Sequence, residues 1–97
     1  MKISLSTEVE QYLSKKHKDA IEVFVEKTYT TTLDNVTHIE IKLGAPDSKI
    51  QDKFTVMEVH GFKVYVESTL VNEESDIRVH LEKHLGMKWM EVDGLQR

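Results

Sequence analysis

Residues 54–67 read FTVMEVHGFKVYVE. Two runs rich in Val, Phe and Tyr flank the pair His60-Gly61. A two-residue X-Gly linker between such runs signals a tight hairpin, because the primed turns need positive φ and Gly supplies it. The stretch therefore predicts two strands, Phe54–Val59 and Phe62–Glu67. In this reading Glu58 and Glu67 face each other across the hairpin, where like charges repel.

The same two-residue period runs outward in both directions. Upstream, Val36–Leu43 sets Thr37, Ile39, Ile41 and Leu43 on one face and His38, Glu40 and Lys42 on the other. Ala20–Lys27 repeats it with Ile21, Val23 and Val25. Between them Thr28–Asn35 is polar and threonine-rich, and Asp34-Asn35 reads as a turn. Gly44, Pro46 and Asp47 end the longer strand, and Ser48–Lys53 reads as a loop. Near the start, Lys2–Leu5 forms a short strand. Thr7 then reads as a helix N-cap with Glu10 completing a capping box. Val9, Tyr12 and Leu13 make one apolar helical face, which fades at Lys16–Lys18.

Downstream, Ser68 caps a short helical turn through Leu70, Val71 and Asn72. Ile77, Val79 and Leu81 alternate against Arg78, His80 and Glu82, giving another strand. Gly86 breaks the chain. Met87–Val92 is a last strand, and Gly94–Arg97 a frayed end.

Ninety-seven residues make one domain, 1–97, with 39% apolar and 31% charged residues. That suffices for a core built on Val, Ile and Leu. The net charge is −4, and Lys15, Lys16 and Lys18 are the densest basic cluster. A nucleic-acid partner is not expected, since phosphate binding needs a basic stripe. No membrane span and no secretory leader are expected. With no cysteine in the chain, the expected compartment is the cytoplasm.

The absent cysteine removes thiolate nucleophiles, Cys metal sites and disulfides. No G-x-S-x-G, Walker loop or G-x-G-x-x-G is present. The candidate metal ligands are His38, His80 and His84 with Glu40 and Glu82. On a helix His80 and His84 would share a face, but the alternation argues for a strand, where four residues span roughly 13 Å. A His38/His80 pair on adjacent strands, with Glu40 or Glu82, is the other arrangement. Solvated polar faces are the simpler account of all five residues. Met87, Trp89 and Met90 are candidates for a partner contact, with closure of the core as the simpler account.

Three stretches carry a family resemblance: MKISLSTEVEQYL (1–13), IEVFVEKT (21–28) and HIEIKLGAPDSKIQDKFTVMEVHGFKVYVESTLVNEESDIRVHLEKHLGMKWMEV (38–92). Their order and turns resemble the HesB/IscA-like family, the A-type iron–sulfur carriers and their relatives. The resemblance implies an α+β fold, a small mostly-β domain. It would hold about six to seven strands in mixed sheets, an N-terminal helix and a short second helix. Carriers of the family hold iron or a cluster through one Cys after the long strand and a C-x-C pair near the C-terminus. Here the first position falls within Thr28–Leu33, which offers Thr and Tyr but no thiol. The chain ends at Arg97 where the pair is expected. No family ligand carries over, and Thr oxygen replaces a soft thiolate poorly.

The expectation is a non-enzymatic accessory or partner-binding protein with no cofactor, acting on a protein partner or by self-association. Its link to iron–sulfur biogenesis comes from resemblance alone. The alternative is a His/carboxylate metal- or small-ligand-binding protein. An enzyme ranks last, because no nucleophile–base–orienter set emerges from the spacings.

Overall fold

The computed structural model describes residues 2–29, 35–72 and 74–94, with backbone alone for 26–29 and 35–38. Among them the alternating stretches form β1 (Lys2–Leu5), β2 (Ala20–Tyr29), β3 (Asn35–Leu43), β4 (Phe54–Val59), β5 (Phe62–Glu67), β6 (Asp76–His84) and β7 (Met87–Asp93). One α-helix, α1 (Thr7–Lys15), follows β1. The strands make two mixed sheets, a four-stranded one in the order β3-β2-β5-β4 and a three-stranded one in the order β1-β6-β7. β2 runs parallel to β5, and β1 parallel to β6; the other pairs are antiparallel. The expected α+β, mostly-β architecture is the observed one.

Alternation explains the core. Ile21 and Val23 of β2, Val64 and Val66 of β5, and Ile77 and Val79 of β6 turn inward and are fully buried with Val9 and Leu13 of α1. The Val9/Leu13 face lies one helical turn apart, so α1 closes this core with a single stripe. Ile39, Ile41, Leu81, Met90 and Val92 pack around it.

Turn chemistry sets the registers. His60 and Gly61 have φ of 50° and 87°, and Val59 pairs with Phe62. This is the two-residue primed turn that Gly61 announces. Counting outward from it pairs Glu58 with Lys63 and Phe54 with Glu67. The two glutamates are therefore not opposed, and the expected repulsion is replaced by a pair of opposite charges. Gly86 is also more than a break. Leu85 and Gly86 have φ of 50° and 81°, and His84 pairs with Met87, so β6 and β7 form a second tight hairpin.

The helix starts one residue before the expected cap. Ser6, not Thr7, accepts the Val9 N–H, at 3.1 Å. Glu10 then lies beyond reach of a capping box, and its carboxylate lies 2.7 Å from His60 Nδ1 at the first hairpin. The helix ends in a Schellman arrangement: Lys18 N–H donates to the Leu13 carbonyl and His17 N–H to that of Ser14. His17 takes φ of 56° there, a place where Gly is usual.

Three other expectations shift. The short second helix is a single 3-10 turn, Ser68–Leu70, without a side-chain cap; the Ser68 hydroxyl instead lies 3.0 Å from that of Thr55. The loop 48–53 contains a 3-10 turn, Gln51–Lys53. Of the expected frayed end Gly94–Arg97, Gly94 packs tightly, since a Cβ there would overlap the Asp76 carbonyl, and residues 95–97 lie outside the described residues. Of the Thr28–Asn35 connection, residues 30–34 lie outside the described residues, the Asp34 half of the expected turn among them. Among the described residues no helix is long and apolar enough to cross a membrane.

Candidate functional site on the β6–β7 face

Inward Ile77, Val79 and Leu81 force Arg78, His80, Glu82 and His84 onto the outer face of β6. On β7, inward Met90 and Val92 likewise put Met87, Trp89, Glu91 and Asp93 outside. The Leu85-Gly86 turn fixes which of these meet. His80 lies opposite Glu91, Glu82 opposite Trp89, and Arg78 opposite Asp93. Directly opposed side chains stand about 5 Å apart at Cβ, close enough to interact.

The result is a ring of carboxylates around one imidazole. His80 Nε2 is 2.9 Å from Glu82 Oε1 and 3.7 Å from Glu91 Oε2. His80 Nδ1 is 3.3 Å from Asp93 Oδ2. Glu91 is itself oriented, because the Trp89 indole N–H donates to its other oxygen at 2.9 Å. The donor atoms of His80, Glu82 and Glu91 all lie within 4.8 Å of one another. His80 is the least exposed of the set, its side chain 31% accessible. A hollow bordered by Ser4, Ser6, Arg78 and Asp93 opens beside it.

Of the residues singled out from sequence, the structure joins His80 and Glu82. His84 lies on the same face next to the turn but outside the set. Glu40 borders a shallow groove with Trp89 and Glu91 on the β3 side, again outside it. β3 and β6 belong to different sheets, so His38 and His80 are not on adjacent strands, and the side chain of His38 lies outside the described residues. Glu91 and Asp93 are the residues sequence reading missed. Their signal was the Leu85-Gly86 dipeptide: once read as a two-residue turn, it places Glu91 opposite His80.

The partner-contact candidates divide. Met90 packs against the core. Met87 and Trp89 do not close it; they point outward, 69% and 40% exposed. Beside them Leu85, at the tip, is 90% exposed. Its backbone is in the left-handed region, which favours Gly or Asn over Leu.

Solved structures share this fold, among them two that match over most of this chain. One is IscA with a [2Fe-2S] cluster, with TM-score 0.64, 12% identity, and coverage of 95% of this chain and 84% of that one. The other is Escherichia coli SufA, involved in biosynthesis of iron–sulfur clusters, with TM-score 0.53, 12% identity, and coverage of 96% and 80%. At this identity the likeness is one of fold. No curated protein matches the chain. A thiolate-held cluster does not fit the residues present, since the sequence has no cysteine. A family model matches residues 1–95, and on that match this cysteine-free chain belongs to the CC/Se motif containing family, built on the fold of IscA and SufA.

Proposed function

We propose that this protein is a non-enzymatic accessory module that has kept the fold of IscA and SufA and works by docking a protein partner on its β6–β7 hairpin, not by thiolate ligation. The link to iron–sulfur cluster biosynthesis rests on the likeness in fold to IscA, which holds a [2Fe-2S] cluster, and to SufA, involved in biosynthesis of such clusters. One observation carries the docking reading. Leu85 occupies a turn position where its backbone is strained and its side chain is 90% exposed. Leu there loses on both counts, since a left-handed L-residue costs about 1–2 kcal/mol and an exposed side chain gains no burial. Local rules are broken in this way at functional sites. Met87 and Trp89 continue the apolar surface, and Glu82, Glu91 and Asp93 follow it along the same face. The partner that fits presents an apolar pocket with a basic rim.

The test has two arms. Anaerobic incubation with Fe²⁺ and sulfide should leave no cluster absorbance, and a stable cluster would overturn the thiol-independent reading. A partner recovered from the source cells and then purified should bind the wild type saturably. It should bind Leu85→Asn and Trp89→Ser at least tenfold more weakly; equal binding would overturn the docking surface. A second reading, the binding of a divalent cation, is favoured by the convergence of His80, Glu82 and Glu91 within 4.8 Å.

A further inference from the structure

We infer that His80, Glu82 and Glu91 form a site for a first-row divalent cation of the Zn²⁺ or Fe²⁺ kind, with Asp93 and Trp89 orienting two of the ligands. The argument starts from spacing. Two donors about 2.1 Å from a tetrahedral ion stand about 3.4 Å from each other, and about 3.0 Å on an octahedral one. The His80–Glu82 and His80–Glu91 donor separations, 2.9 and 3.7 Å, bracket these values. The third separation, Glu82 to Glu91, is no more than 4.8 Å, so an ion enters by side-chain adjustment without a change of register.

The surroundings match what a ligating histidine needs. A metal-bound imidazole gives its second nitrogen to a carboxylate or carbonyl, which fixes the tautomer and raises ligand basicity. Asp93 Oδ2 already stands 3.3 Å from Nδ1. In the free protein Nε2 lies 2.9 Å from Glu82. When the ion takes the Nε2 lone pair, neutral His80 carries its proton on Nδ1, facing Asp93. Glu91 keeps Oε2 for the ion because Trp89 N–H holds Oε1 at 2.9 Å. One nitrogen with two carboxylates suits a borderline cation better than Mg²⁺, which prefers oxygen donors and retains its water. Three protein ligands leave a position for water or for a partner's side chain. The ion would also offset the clustered negative charge of Glu82, Glu91 and Asp93. Arg78 stands opposite Asp93 in register and borders the same hollow as His80 and Asp93.

The experiment is titration of the whole chain, alone, with Zn²⁺ and separately with Mg²⁺, followed by calorimetry and by imidazole signals in nitrogen-edited NMR. The expected result is one Zn²⁺ per chain, displacement of the His80 signals while those of His17, His60 and His84 stay in place, and much weaker Mg²⁺ binding. Glu91→Gln should weaken Zn²⁺ binding at least tenfold. Asp93→Asn should weaken it by about 10-fold or more, the usual effect of losing such an orienting group. His84→Ala should leave it unchanged. Should His80→Ala fold poorly, the two isosteric variants still decide. Binding that is substoichiometric, unaffected by Glu91→Gln, or matched by Mg²⁺ would overturn the site. None of these readouts involves a partner, so they stand apart from the docking proposal.

Discussion

Replacing Leu85 by Asn should make the protein more stable while removing its proposed contact. The residue sits first in the two-residue turn between β6 and β7, at φ 50°. A left-handed backbone costs an ordinary L-residue about 1–2 kcal/mol, and Asn is among the few that escape most of it. The opposing term is lost burial. With 90% of Leu85 exposed, only a tenth of a full Leu burial of roughly 2 kcal/mol is at stake, about 0.2 kcal/mol. The net gain is about 1 kcal/mol, which for a chain of this size raises Tm by roughly 4–8 °C. Urea unfolding followed by circular dichroism would measure it, with the midpoint moving up at constant slope. A loss of more than about 0.5 kcal/mol would refute the reasoning, since it would mean the side chain makes stabilising contacts within its own fold.

Other substitutions probe the frame around the site. Gly94→Ala should cost about 3 kcal/mol in the same unfolding assay: a Cβ at φ 91° would collide with the Asp76 carbonyl, adding backbone strain to the loss of one or two ladder hydrogen bonds. Leu13→Ala, which empties a fully buried position, should cost about 2–5 kcal/mol. His17→Gly should instead gain about 0.5–1 kcal/mol, because the helix ends there in a left-handed residue at φ 56°. Glu10→Gln removes the charge facing a largely exposed His60 and should shift stability by less than about 1 kcal/mol.

Much of this fold is legible in sequence because alternation and turn chemistry act locally. Ile77, Val79 and Leu81 fix the inward face of β6 without knowledge of its neighbours. His60-Gly61 fixes one hairpin outright. What escapes is what depends on pairing. Glu58 meets Lys63 and not Glu67, a one-step consequence of the turn that simple inspection of the two strands obscures. Leu85-Gly86 escapes because Leu is an unusual first residue for a primed turn. With that turn missed, Glu91 and Asp93 could not be assigned to His80. Met87, Trp89 and Met90 read alike from sequence, as a partner contact or as closure of the core, because large apolar residues serve both; the register of β7 separates them by giving Met90 and Val92 the inward places. The N-cap moved because Ser6 and Thr7 are both good caps, and the strand preceding them, not their chemistry, decides between them.

The docking claim is tested most directly by placing a photoreactive amino acid at position 85 and, in a second protein, at exposed position 49 in the loop between β3 and β4. Each is expressed in the source cells and irradiated. The account predicts a discrete cross-linked adduct from position 85, absent from position 49, and suppressed when Trp89→Ser is added. No adduct, or the same adducts from both positions, would contradict it.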